Sequence, residues 1–380
     1  MGPLLASAAM DSITHLVLGG AIGAAIAPAG QRRAALLAGA ALNTVPDLDV
    51  PLLLTLTDDP VTWMTWHRSF LHSVFVLPLI GWLVWWACRM HGKRVQAAPV
   101  RWFWLIQACL LSHPLIDACT VYGTWLLWPL EVQPAMWSLL FIIEPGFTLW
   151  LLLGCVIAWC IPKAPGGRRG AIAGLALAAA VLGVAGLAKL KVEREAERNL
   201  AALGLAHAPR FSTPLPFTVL LWRVVAMTPG GYVDAERSLF DAGPMVFHGH
   251  ASDTQALAQA RAAAIPAVRR LDWFNHGFMR AQVRDGQLVL SDLRMGLDPD
   301  YTFNFAVAQR RAGQWQAIAP QQIKAPLPIS GASGLGRLIG AVWRRTWHQS
   351  DAPLRDAILA PQAQAAVANP DGTAASSASK

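Results

Sequence analysis

Residues 102–117 read WFWLIQACLLSHPLID, an apolar run from Trp102 that closes on Ser112-His113-Pro114-Leu115-Ile116-Asp117. The run suits a membrane-spanning helix, and its polar residues fall at one end. His113 and Asp117 are four apart, so on a helix they share a face, with side chains about 5–6 Å apart. Ionisable groups are costly in a bilayer and mark functional sites there. A His–Asp hydrogen bond that packs two helices accounts for the pair alone equally well. The other His and Asp residues decide between the two.

The 380-residue chain has the length of two or three domains. Hydrophobic residues make up 54% and charged residues 14%, against about 25% charged in soluble proteins. The imbalance is uneven. Between residues 12 and 188 the acids are Asp47, Asp49, Asp58, Asp59, Asp117, Glu131 and Glu144, whereas charge is ordinary from Lys189 onward. Trp82, Trp85, Trp86, Trp102, Trp104, Trp125, Trp128, Trp137 and Trp159 sit near the ends of apolar runs, where interfacial belts place them. The net charge is +8; in the first half much of the Lys and Arg excess lies in the connections, which topology explains better than nucleic acid does. The five Cys form no CxxC pair and imply no disulfide framework. The N-terminus lacks a basic n-region, so no cleaved signal peptide is expected.

The expected fold is mainly α: a polytopic membrane domain of about six helices over 1–190, then a small α+β soluble domain over 191–360, then a disordered tail over 361–380. The helices are expected at 13–27, 34–45, 70–88, 102–117, 137–161 and 171–190, with a loop or short re-entrant piece at 50–66. Strands are expected at 217–227, 281–283, 288–291 and 301–307, with Asp285-Gly286 as a hairpin turn. Residues 252–270 read as helical.

Arg32/Arg33, Arg89/Lys93/Arg94/Arg101 and Lys163/Arg168/Arg169 mark three basic connections. The positive-inside rule puts these in the cytoplasm. The other connections, both termini and the soluble domain then face outward, the periplasmic side of a bacterial inner membrane. This assignment uses Lys and Arg only, yet it brings His15, Asp47, Asp49, His67, His72, His113, Asp117 and Glu144 to the outer side.

Imidazoles and carboxylates together suit Zn²⁺, Mn²⁺ or Fe²⁺, and such a metal generates a nucleophile from water near neutral pH. A spare carboxylate such as Asp49 or Asp117 can act as general base or orient a ligating His. Arg68 can hold a phosphate or carboxylate. Each residue also has a plainer reading. His15 can be a helix-start polar residue, Asp47 and Asp49 can cap a helix, and Glu144 can bond backbone freed by Pro145. His67 and His72 are five apart and would splay on an ideal helix, so both reach one metal only if His67 precedes the helix. His248-Gly249-His250 is a weak HxH pattern, and Asp292 with Arg294 reads as a structural turn. No Walker-type loop, GxSxG or dinucleotide fingerprint is present.

At these residues the sequence resembles a known family. His15, Pro46-Asp47-Leu48-Asp49, His67-Arg68-Ser69-Phe70-Leu71-His72-Ser73, Ser112-His113-Pro114-Leu115-Ile116-Asp117 and Tyr122-Gly123-Thr124 with Trp128-Pro129 are similar to the YdjM-like inner-membrane metal-dependent hydrolases, also described as LexA-binding. The resemblance is clearest over about 10–150. Leu221-Trp222-Arg223 and Asp292-Leu293-Arg294-Met295-Gly296 resemble an extension found in some members. It implies that His15, Asp47, His67, His72, His113 and Asp117 form the metal and catalytic set. Glu144 stands where the family has an Asp. The expected function is metal-dependent hydrolysis of an ester or phosphoester, with a lipid or lipid-linked substrate in the bilayer and no nucleic acid. The rivals are an ion or proton pathway, a structural metal site, or a regulatory scaffold acting through the C-terminal domain. Apolar helix segments below the outer turn favour a one-sided site over a pathway.

Overall fold

The computed structural model describes residues 2–324 and 332–358. The tail expected over 361–380 lies outside the described residues. The first half is helical: α1 (Gly2–Ile26), α2 (Arg32–Asn43), α3 (Asp49–Leu56), α4 (Pro60–Trp66), α5 (Val76–His91), α6 (Lys93–Ala97), α7 (Pro99–Ala118), α8 (Pro145–Cys160) and α9 (Pro165–Ala202). Proline at the first turn of α4, α7, α8 and α9 presets the helical φ where no N–H is needed. α1 is central and packs on α2, α7, α8 and α9. Its glycines set the spacing: a Cβ on Gly19 would sit 2.1 Å from the Gly39 carbonyl oxygen of α2. Small residues of this kind let membrane helices approach closely.

By length and composition one described helix, α9, can cross a membrane, or up to three spans exist if each bent pair, 29–43 with 46–56 and 60–72 with 76–91, counts as one. About six were expected. The difference has physical reasons. α2 has 12 residues and α8 has 16, shorter than the roughly 20 a straight span needs. α7 carries Arg101, Gln107, His113 and Asp117 among its apolar residues. Where a loop or short re-entrant piece is expected at 50–66, the stretch forms two short helices, α3 and α4, each in a bent pair that fits a broken span or a re-entrant piece. The outer surface of the helices is nonetheless apolar, with Leu79, Trp104, Leu149 and Leu187 each at least 60% exposed.

α9 has 38 residues, about 57 Å at 1.5 Å per residue, and therefore outruns a ~30 Å hydrocarbon core. Its far end joins the second half. There β1 (Arg210–Pro214), β2 (Leu221–Thr228), β3 (Gly231–Ser238) and β4 (His248–Ala251) form an antiparallel meander. α10 (Thr254–Ala262) and α11 (Pro266–Phe274) follow. A second antiparallel sheet has the order β10-β9-β6-β5, from β5 (Met279–Arg284), β6 (Gln287–Asp292), β9 (Asn304–Arg311) and β10 (Gln314–Gln322). A two-residue ribbon, β7 (Gly296–Leu297) with β8 (Asp300–Tyr301), lies between β6 and β9 in the chain, and α12 (Ala332–Trp347) follows β10. The expected β5–β6 turn is present: Asp285 and Gly286 both have positive φ, as a tight hairpin of this twist requires.

The halves share cores. Val61 and Met64 of α4 and Tyr122 pack among Leu271, Phe274, Leu290 and Phe305, and Val219 joins a cluster of α1, α8 and α9 residues. The basic connections gather at the opposite end of the bundle. Arg32 donates to the carbonyls of Ala24, Pro162 and Ala164, Arg168 donates to Ala25, and Trp102 donates to the Gln31 side chain.

Candidate metal centre

Six elements meet around the last turn of α7. His113 and Asp117 come from α7 itself, and His15 comes from α1. Asp47 and Asp49 come from a 3-10 turn (Pro46–Leu48) and the start of α3. His67 ends α4, and His72 ends a second 3-10 turn (Phe70–His72). His67 and His72 are thus not on one helix. Between them Arg68 has φ 64°, a left-handed conformation uncommon for a side chain of this size and found where surrounding structure enforces it. Asp49 is part of that enforcement: its carboxylate meets His67 Nδ1 at 3.0 Å and accepts the Arg68 backbone N–H at 2.9 Å.

At the centre, His72 Nε2 and His113 Nε2 are 3.1 Å apart. Asp117 Oδ2 lies 3.2 Å from the first and 3.3 Å from the second. Asp47 Oδ1 lies 3.4 Å from His113 Nε2 and 3.9 Å from His72 Nε2. His15 Nε2 reaches Asp117 Oδ1 at 3.2 Å, and its ring stacks on His113 with centroids 3.7 Å apart. Two overlapping groups can hold a metal ion: His15, His113 and Asp117, and Asp47, His72 and His113.

The far sides of the rings fix which nitrogen is bare. His113 Nδ1 lies 2.5 Å from the Asn43 carbonyl oxygen. A carbonyl only accepts, so Nδ1 carries the proton and Nε2 presents a lone pair to the centre. Asn43 donates its amide N–H groups to the Cys109 carbonyl and Ser112 Oγ. Its Oδ1 therefore faces His15 Nδ1, at 3.3 Å, and orients that ring in the same sense. The residues fit a cation. The His72 and His113 imidazoles and two carboxylate oxygens face one another, and among the described residues neither Asp117 oxygen is in hydrogen-bond alignment with a partner. With metal–ligand bonds of about 2.0–2.2 Å, neighbouring donor atoms lie roughly 3.0–3.5 Å apart, which matches most of these separations. Among the described site residues, Asp49 and Asp117 are buried, Asp47 is partly exposed, and Arg68 supplies the one guanidinium, against Asp117, so neutral imidazoles leave the buried site with a negative excess. Uncompensated buried charge costs several kcal/mol. A divalent ion removes that cost.

His15, His72, His113 and Asp117 are fully buried, and Asp49 and Arg68 nearly so. The Asp47 side chain is 24% exposed, which marks the side from which the centre is reached. Arg68 points inward: Nη2 lies 3.2 Å from Asp117 Oδ1, Nη1 donates to Thr120 Oγ1 at 3.0 Å, and the guanidinium stacks over Tyr122. Glu144 stands apart. It precedes α8 rather than lying two turns inside a helix, accepts the Gly146 N–H, and belongs to neither metal-capable group.

Asn43, Thr120 and Tyr122 carry roles the sequence reading did not assign. For Asn43 a signal existed, an amide closing an apolar helix. In the second half, His250 is bound to Asp234 at 2.8 Å, and Arg294 forks onto Asp292 at 2.6 and 2.9 Å. Both are internal pairs.

No curated protein and no solved structure matches the chain. A family model described as YdjM inner membrane protein matches residues 10–192, a stretch that contains every residue of the centre from His15 to Asp117. The helical half of the chain, residues 10–192, is thus similar to the YdjM inner membrane protein family, in agreement with the resemblance carried by its His and Asp motifs.

Proposed function

We propose that this protein is a membrane-bound, metal-dependent hydrolase acting on an ester or phosphoester, with a lipid-linked substrate the best match to a site beside the bilayer. The observation that carries the proposal is the convergence of His72, His113, Asp117 and Asp47 donor atoms at 3.1–3.4 Å for all but one measured pair. These four would hold a divalent ion such as Zn²⁺, Mn²⁺ or Fe²⁺, and His15, whose Nε2 also faces Asp117, would offer a further donor in the group it forms with His113 and Asp117. Bound there, the ion would polarise the scissile group and activate water.

The chain's own residues do the rest. Asp49 accepts from His67 Nδ1 and leaves Nε2 free to take a proton, an arrangement suited to general-base work. The His67 ring is 5.9 Å from the His72 ring between centroids, within reach through one water. Arg68 holds Asp117 in place, and Asp47 lines the open side. Several insertions of the chain, with Arg32, Arg33 and Arg168 in the cytoplasm, would place the centre and the second half together at the periplasmic face. A reporter fused after Lys380 tests that orientation.

The activity test is turnover of chromogenic esters and phosphodiesters by detergent-purified, metal-loaded protein. His67→Gln should lower kcat about 10²–10⁴-fold with metal content unchanged. Equal turnover in the variant would remove His67 from the chemistry. The full burial of His72, His113 and Asp117 favours a second reading, a structural metal or proton site without turnover. Metal binding with no hydrolysis across the substrate panel would select it.

A further inference from the structure

α12 turns an apolar stripe outward. Leu335, Ile339, Trp343 and Trp347, spaced by four, are 44%, 46%, 65% and 46% exposed. The opposite face is already used: Ala341 and Val342 pack on Leu215 and Leu221, and Arg345 clamps Asp241 with contacts of 2.9 and 2.7 Å. Phe240 extends the stripe, its ring stacked on Trp347 with centroids 4.9 Å apart. A patch of this kind on a rigid face marks an interaction surface.

Its neighbours say which. The Leu239 carbonyl accepts from Lys191 of α9 at 2.7 Å, directly beside the exposed Leu187 and Leu190 of the apolar part of that helix. Leu239 N–H bonds to the Leu220 carbonyl, and Leu220 packs with Val219 into the α1, α8 and α9 cluster. Phe217, in the same loop, meets the Phe141 ring. The stripe therefore continues the exposed apolar surface at the end of the bundle. α12 contains no acidic residue, and Arg337 and Arg344 flank the stripe. Tryptophans beside arginines on an apolar helix face are the chemistry of the headgroup boundary.

We infer that α12 and Phe240 form an interfacial membrane anchor that lays the second half of the chain on a bilayer containing anionic phospholipid, with Arg337 and Arg344 on the headgroups. The anchor is separate from the metal centre, so it stands or falls independently of the hydrolase proposal.

The test uses the full chain with the exposed Cys88 and Cys160 changed to serine. A fluorophore on Ile339→Cys is read in vesicles of phosphatidylcholine and phosphatidylglycerol. Some carry brominated phosphatidylcholine with the bromines high on the acyl chain. Leu153→Cys, outward on α8, reports lipid contact. Ala202→Cys, about 18 Å along α9 beyond Leu190, reports its absence. The label at 339 should lose on the order of half its emission to brominated lipid, as at 153, while the label at 202 is unaffected. Arg337→Glu with Arg344→Glu should weaken that quenching. Quenching at 339 no greater than at 202 would overturn the anchor. So would protection of 339 that grows with protein density and ignores bromine, which would assign the face to a second copy.

Discussion

Asn43 does more for the centre than its position at a helix end implies. Its carbonyl receives His113, its Oδ1 faces His15, and its amide donors tie it to α7. Residues behind ligands typically contribute 10- to 100-fold in metal affinity. Asn43→Ala should therefore weaken binding by about that factor, measured by competition with a chromogenic chelator. The backbone contact to His113 would survive, so the loss should be smaller than in a ligand variant. Unchanged affinity would mean that His15 does not need its partner. Arg68 teaches a different lesson. The sequence shows an arginine between two histidines and invites a role as a phosphate hook. Its left-handed backbone and its turn toward Asp117 and Thr120 are enforced by Asp49 and by the 119–125 loop, and no local pattern announces them.

Among the elements, the short reach of α1 to α2 positions both His15 and Asn43. The Cβ of an alanine at 19 would collide with the Gly39 carbonyl and with the Asn43 Cβ, at 2.1 and 2.5 Å. Overpacking of this kind costs about 1–3 kcal/mol, so Gly19→Ala should lower the thermal midpoint and reduce bound metal together. Loss of stability with full metal content would separate the two helices' packing from the site. The partners of this centre were legible because His113 and Asp117 obey helical spacing and because Lys and Arg sort the connections. Those basic residues do gather at the end away from the centre. The helix count was less legible. Apolar runs of 12–16 residues look alike whether a helix crosses, bends or stops. In the 50–66 stretch Pro60 starts α4, and apolar pieces this short do not separate a loop from a pair of short helices. The charged segment after residue 190 continues α9 because no breaker intervenes. α12 escaped notice because its glycines and arginines dilute the apolar period, whose outward and inward faces both carry large side chains.

Over the whole molecule, a polar knot ties the two sheets together and gives the second half its own response to pH. His250 of β4 lies 2.8 Å from Asp234 of β3 and 3.6 Å from Asp298. Asp298 in turn binds Arg280 of β5 at 2.6 Å and Arg355 at 2.9 Å, and Tyr232 stacks on the imidazole. Burial alone would lower the His250 pKa, but hydrogen bonds and charge from the two carboxylates outweigh it and push it up to about 9. Against an ordinary value near 6.5, the folded state holds this proton more tightly than the unfolded state. The added stability is full below about pH 6.5 and is lost as pH rises through about 9. Denaturant midpoints should fall across that window in the native protein. His250→Gln should flatten the fall, and an unchanged slope would place the titration elsewhere.

The most direct measurement for the molecule is the metal content of detergent-purified protein, native beside His113→Ala and Asp117→Ala. The account predicts one or two equivalents of a divalent transition metal in the native protein, lost in both variants, with Glu144→Ala unaffected. A native protein that takes up no metal even when incubated with Zn²⁺ or Mn²⁺ would contradict it, leaving the His–Asp group as a buried staple between helices.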